Sequence, residues 1–152
     1  MTGMRYWIVP SALAMLAFGC GAPTKSFDIT VQNRSNVPVM IWLTKDGPPA
    51  EEGWLTTDQF LAAPEGTRSP GVRLPPDKTA ETGKVSGKFP QGTRAVLLVF
   101  RTGQPAGERR DPPLAVRLQP GKNTLEVVTD ERGALRVTDA ITGAPATLAE
   151  EP

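Results

Sequence analysis

The chain has no histidine and a single cysteine, Cys20, so few of its side chains can do chemistry unaided. Without imidazole, the side chain that ordinarily changes charge near neutrality is missing, and so is the commonest metal ligand. One thiol forms neither an intrachain disulfide nor a multi-cysteine metal site. Zinc-finger, cupredoxin, haem, Ser-His-Asp and Cys-His arrangements are therefore excluded. The segment Gly83-Lys84-Val85-Ser86-Gly87-Lys88-Phe89 has the glycine and lysine of a phosphate loop but the wrong glycine spacing, and it ends in Phe. It reads as a lysine-flanked turn or an edge strand. No Gly-x-Ser-x-Gly elbow occurs. Asp111, Asp130 and Glu131 are the candidates for a glycosidase pair and Asp130-Glu131 for a calcium loop, but all lie in turn-rich stretches where acids are normally solvated, and no Asp-x-Asp-x-Asp-Gly pattern is present. The expectation is a non-enzyme with no catalytic residue, no cofactor and no metal.

Cys20 has a sequence context of its own. Arg5 is followed by the uncharged residues 6–18, then by Gly19 and Cys20. A short basic end, an apolar stretch and a small residue before a cut make a secretory leader. The stretch is shorter than the roughly 20 residues that span a bilayer core, and Pro10 would interrupt a buried helix there. Within it, Leu16-Ala17-Phe18-Gly19-Cys20 resembles the lipobox of a bacterial lipoprotein precursor, with Gly19 and Cys20 carrying the match. The resemblance implies diacylglyceryl transfer to the Cys20 thiol, cleavage after Gly19 and acylation of the new amine. Membrane lipid would then be a partner through acylated Cys20. Two or three acyl chains, at about 0.8 kcal/mol per buried methylene, give stable attachment. The chain would sit on the cell membrane or outer membrane, facing an extracytoplasmic space. Gly21, where such precursors often carry an Asp for inner-membrane retention, leans towards the outer membrane.

Cleavage removes Arg5, leaving the Lys and Arg residues equal in number to the 16 Asp and Glu, so the formal charge falls from +1 to zero. Tyr6, Trp7 and Phe18 leave as well, and no tyrosine remains. A neutral chain with few aromatic platforms is not a nucleic-acid binder. Gly and Pro number 15 and 16, which points to a domain of turns rather than helices.

The remaining pattern has a period of two. Phe27, Ile29 and Val31 alternate with Asp28, Thr30 and Gln32, so residues 26–32 read as a half-buried strand. Asn33-Arg34-Ser35-Asn36 is a turn, and its glycosylation sequon is read as chance. Residues 37–44 form a second, apolar strand, ended by Asp46-Gly47-Pro48-Pro49, with Glu51 and Glu52 solvated beyond it. Thr56 and Gln59 make a capping box for one or two helical turns, with Trp54 and Phe60 plugging an end of the core. Residues 64–77 are an irregular crossing rich in Pro and Gly, residues 79–89 an edge strand guarded by Lys84 and Lys88, and residues 95–101 a central strand. Residues 102–113, with Arg109-Arg110, cannot be regular structure. Three alternating runs close the pattern, around Leu114-Val116-Leu118, Leu125-Val127 and Leu135-Val137. The first two are joined by Gln119-Pro120-Gly121-Lys122 and the last two by Asp130-Glu131-Arg132-Gly133. Keeping apolar residues together sets Val127 opposite Leu135 and Glu126 opposite Arg136.

Seven strands and one short helix predict an all-β chain folded as an antiparallel β-sandwich, immunoglobulin-like or transthyretin-like in outline. The expected organisation is a lipoprotein signal peptide over residues 1–19, a lipidated tether over 20–25, the sandwich over 26–140 and a flexible tail over 141–152. The function expected is a non-enzymatic structural or protein-interaction role in the cell envelope, with an envelope protein as partner and the sheet edge and the two long loops as contact surfaces. The alternative is a small-ligand or carbohydrate-binding lipoprotein that uses Trp42, Trp54 and loop residues.

Overall fold

The computed structural model describes residues 21–52, 54–62, 71–102 and 112–148. Cys20 and the expected leader lie outside the described residues, as do Arg109, Arg110 and Asp111 and most of the two long loops. The expected β-sandwich forms, with eight strands: β1 (Thr24–Asn33), β2 (Val39–Asp46), β3 (Val72–Leu74), β4 (Thr79–Lys88), β5 (Arg94–Arg101), β6 (Leu114–Arg117), β7 (Gly121–Thr129) and β8 (Leu135–Asp139). The helix α1 (Thr57–Ala62) lies between β2 and β3. One sheet has the order β4-β1-β7-β8 and the other β3-β2-β5-β6. Strand pairs are antiparallel except β1 with β7, which run parallel.

The alternation read from the sequence sets the inner faces. Phe27, Ile29 and Val31 of β1, Val39 and Ile41 of β2, Leu97 and Val99 of β5, and Leu125 and Val127 of β7 meet in one buried cluster. Residues of opposite phase on β5, Val96 and Leu98, are buried on the outer side of their sheet, where Phe60 of α1 covers them. This explains why residues 95–101 are apolar without alternation. The strand is central, and both its faces are covered.

Four connections cross between the sheets, two at each end. At one end β1 passes to β2 and β3 to β4, and both crossings meet at Asn33, which has no exposed surface. Its side-chain amide donates to the Val37 carbonyl at 2.8 Å and the Leu74 carbonyl at 2.9 Å. Its side-chain oxygen accepts from the Ser35 amide and hydroxyl at 3.0 and 2.6 Å. The Asn33 amide donates to Lys78 and its carbonyl accepts from Asp77, whose φ of 59° lies in the left-handed region. The sequon nitrogen is thus buried and fully engaged.

Several expectations are corrected. The three-residue strand β3 lies in the stretch assigned to the irregular crossing: flanked by Gly71 and Pro75, it is too short to show a period. The expected β6–β7 hairpin is a crossing between sheets, for Val116 pairs with Leu97 on β5 while Leu125 pairs with Val31 on β1. In the β7–β8 hairpin Val127 faces Val137 and Glu126 faces Thr138, two residues from the expected register. The Asp130 carboxylate sets this by accepting from the amides of Arg132 and Ala134 at 2.9 and 3.0 Å, which centres the loop on Arg132. Arg136 then pairs with Asp130 at 2.9 Å, and Glu126 stands 3.8 Å from Arg34. A two-residue slip keeps the same residues facing inward, so the apolar pattern could not exclude it.

Residues 142–148 are tied down where a tail over 141–152 was expected. Ala146 donates to Val137, Arg117 donates to Thr147, and bridges form at Thr138↔Pro145 and Val116↔Leu148. The segment therefore spans the β8 edge of one sheet and the β6 edge of the other. Asn33→Ala should cost about 3 kcal/mol in denaturant unfolding, because it removes the side-chain partner of the buried Leu74 carbonyl and of the Ser35 amide and leaves the Val37 carbonyl with the Ser35 hydroxyl alone. A loss under about 1 kcal/mol would show that the crossings hold without this amide.

Candidate functional site

Helix α1 is seated by the capping box read from the sequence. The Gln59 amide donates to Thr56 Oγ1, and the Thr56 amide donates to Gln59 Oε1, both at 3.1 Å. The end of β2 holds the same turn. Asp46 Oδ1 accepts from the Thr57 amide at 2.8 Å and Oδ2 accepts from the Thr57 hydroxyl at 3.0 Å. With its first turn fixed, α1 places Phe60 against Trp42 and Phe100, at ring-centroid distances of 4.4 and 5.8 Å.

Between α1 and β6, on the outer side of that sheet, lies a cleft of about 840 Å³. Leu61, Leu98, Leu114, Ala115 and Leu148 form apolar walls, and Asp46, Thr57 and Arg94 gather at one end. Arg94 Nε lies 3.9 Å from Asp46 Oδ2. This is the size and composition of a small-molecule site, apolar with a few grouped polar atoms.

The two tryptophans of the alternative reading are not part of it, nor do they share a patch. Trp42 packs on the outer face of its sheet with Phe60 and Phe100, and a Cβ on Gly71 would stand 2.3 Å from its ring, so that backbone lies flat on the indole. Trp54 packs on the inner side, against Phe89 at 5.6 Å. Phe60 accordingly covers the second cluster and not an end of the main core. Asp130 caps its own turn. Its carboxyl is lowered from its ordinary 3.8, first by the Ala134 amide, then by Arg132 and Arg136. Among the described residues no group of three or more His, Cys, Asp or Glu could hold a metal ion.

The most unusual charge was not foreseen. Lys45 continues the inward phase of Val39, Ile41 and Leu43, and its side chain is 2% exposed. Its ammonium donates to the Pro49 carbonyl at 2.6 Å, pairs with Glu51 and lies 5.3 Å from the centre of the Phe89 ring. Glu51, expected to be solvated, also accepts from the Lys88 amide at the end of β4. One ion pair thus joins the loop after β2 to the edge of the opposite sheet. The alternation shows which way Lys45 points, but nothing local shows that Glu51 folds back to meet it.

Among the described residues no helix is long and apolar enough to cross a membrane. No protein family, curated protein or solved structure matches the chain.

The hydrogen bond from Lys45 and then that from the Lys88 amide hold the Glu51 carboxyl below its ordinary 4.5. A lowered folded-state value means the pairing stabilises the fold in full above pH 4.5 and is lost as pH falls through that lowered value. Glu51→Gln should therefore lower the urea midpoint at pH 7, with the difference from wild type closing on acidification below about 4.5. A difference constant with pH would contradict the pairing. Lys45→Met, which keeps the apolar stem and removes the buried cation, should cost less than Glu51→Ala, which leaves the cation unpaired.

Proposed function

We propose that this chain is a lipid-anchored, extracytoplasmic β-sandwich module of the cell envelope, anchored through acylated Cys20 and acting by binding another envelope protein, not by catalysis. The observation that carries the reading is the order of residues at the N-terminus. An uncharged stretch over residues 6–18 is followed directly by the one cysteine, and β1 begins at Thr24. Nothing separates the folded module from the thiol except Gly21-Ala22-Pro23, as suits a domain held close to a membrane surface. The lipobox resemblance supplies the chemistry, and Gly21 favours the outer membrane.

The long edge strand β4, met at its Lys88 end by Glu51, supports a protein partner. The edges β8 and β6 are occupied in part by Pro145 and Leu148, and β3 has three residues. β4 has ten, and an extended segment of a partner could pair with it. Gly83, at φ 66°, bends β4 where its register with β1 shifts, and Lys84 follows, so the edge resists pairing with its own copies.

The cleft between α1 and β6 favours a second reading, a small-ligand-binding lipoprotein, with the ligand held by Leu61, Leu98, Ala115 and the Asp46–Arg94 end rather than by Trp42 and Trp54. In that case an apolar dye such as anilinonaphthalene sulfonate should brighten with wild-type protein and lose most of the gain with Ala115→Phe. Equal brightening in both would remove the cleft from consideration.

The anchor has a direct test. In the native host, wild-type protein should sediment with membranes and leave them only in detergent, whereas Cys20→Ser should appear in the soluble extracytoplasmic fraction. Sedimentation unchanged by the substitution would overturn the proposal.

A further inference from the structure

The cleft between α1 and β6 is amphipathic along its length. Arg94 and Leu98 both line it, and they stand in the same phase of β5, so it follows that strand for roughly 13 Å. Asp46 is in register with Arg94, and Ala115 with Leu98. Helix α1 runs alongside in the same sense, with Thr57 bonded to Asp46 and Leu61 a turn further on. Polar groups therefore gather at one end and aliphatic groups at the other.

Two exposed leucines flank the apolar part. Leu61 is 39% exposed on α1, and Leu148, which a bridge to Val116 holds beside β6, is 57% exposed. An occupant lying between them would take apolar surface out of water. None of the described lining residues is aromatic, because Trp42, Phe60 and Phe100 pack on one another beneath the helix. A sugar ring or a flat heterocycle thus finds no face to stack on, and a flexible hydrocarbon chain needs none.

The polar end decides the head group. Asp46 and Asp58 bring two carboxylates to the lining and Arg94 one guanidinium. Asp46 is engaged by the Thr57 amide and hydroxyl and by Arg94 at 3.9 Å. Asp58 precedes Leu61 by three residues, which puts the two on one side of the helix; it is exposed, and its carboxylate has no partner among the described residues. The charge left over is negative. The amides of Thr57 and Gln59 are bonded to Asp46 and Thr56, so those donors are not left for an anion.

We propose that the cleft holds a single aliphatic chain with a cationic head, a monoalkyl ammonium, the chain lying along Leu61 and Leu98 and the ammonium at the Asp58 carboxylate. This rests on the second reading above, that the cleft takes a small ligand, and adds the class of that ligand. The full chain carrying Cys20→Ser, so that no acyl group of its own competes, is titrated calorimetrically at pH 7 with decylamine, decanoate and decanol, each below the concentration at which it self-associates.

Decylammonium should bind about tenfold more tightly than decanoate, with decanol between them, since a partly exposed carboxylate attracts one head and repels the other by similar amounts. Asp58→Asn should bring the three within about threefold of one another, and added salt should narrow the difference in the same way. Ala115→Phe should weaken all three. Equal binding of the three heads, a preference for decanoate, or a preference for decylammonium that survives Asp58→Asn would overturn the head-group assignment while leaving the cleft as an apolar site. Binding of none, or binding indifferent to Ala115→Phe, would overturn the cleft as a ligand site and this inference with it. Because Asp58 is exposed, its substitution leaves the core intact, which an unchanged unfolding midpoint verifies, and its result stands whether or not Ala115→Phe folds.

Discussion

The sandwich depends on how its two sheets are closed at their ends, and the Asn33 side chain governs one of those ends. A strand pair that crosses from one sheet to the other leaves backbone groups at the crossing that no ladder can satisfy. Two such crossings meet beside Asn33, and one amide group, with a donor and an acceptor at the same position, serves both. A carboxylate there would lack the donors and a hydroxyl would lack the reach. The apolar faces supply the driving force for the layers to stack, but they do not specify where the chain changes layer.

At the other end the closure is ionic and cationic. Lys45 reaches under Phe89 to Glu51, which in turn holds the end of β4. A fully buried ammonium is tolerated because a carboxylate, a carbonyl and a ring face replace its water. The two ends of one sandwich therefore differ in chemistry: neutral hydrogen bonding at Asn33, charge near the N-terminus.

Helix α1 adds a third layer over part of one sheet. Its capping box is local, while its seating on Asp46 is tertiary. Because α1 lays Phe60 over Trp42 but stops short of β6, it leaves the cleft between the helix and that strand. Of the two tryptophans that looked suited to ligand recognition, Trp42 holds the helix and Trp54 packs against Phe89, and the walls of the open space are mainly aliphatic.

The alternation of Phe27-Ile29-Val31, the uninterrupted run from Ala95 and the Thr56–Gln59 box were legible because each is a local rule about one element, set by backbone periodicity or by a cap three residues away. What residues far apart in sequence decide was not legible. The partner strand of β7 is one case, and the return of Glu51 to Lys45 is another. The two-residue choice of register after Asp130 preserves every inward face and so leaves no trace in the apolar pattern. The sequence by itself determined that this chain makes strands, which side of each is buried and where the single thiol stands. Only the tertiary structure decided which strands are neighbours, because layer changes are settled by buried polar contacts such as those of Asn33, whose worth depends on groups brought together from distant parts of the chain.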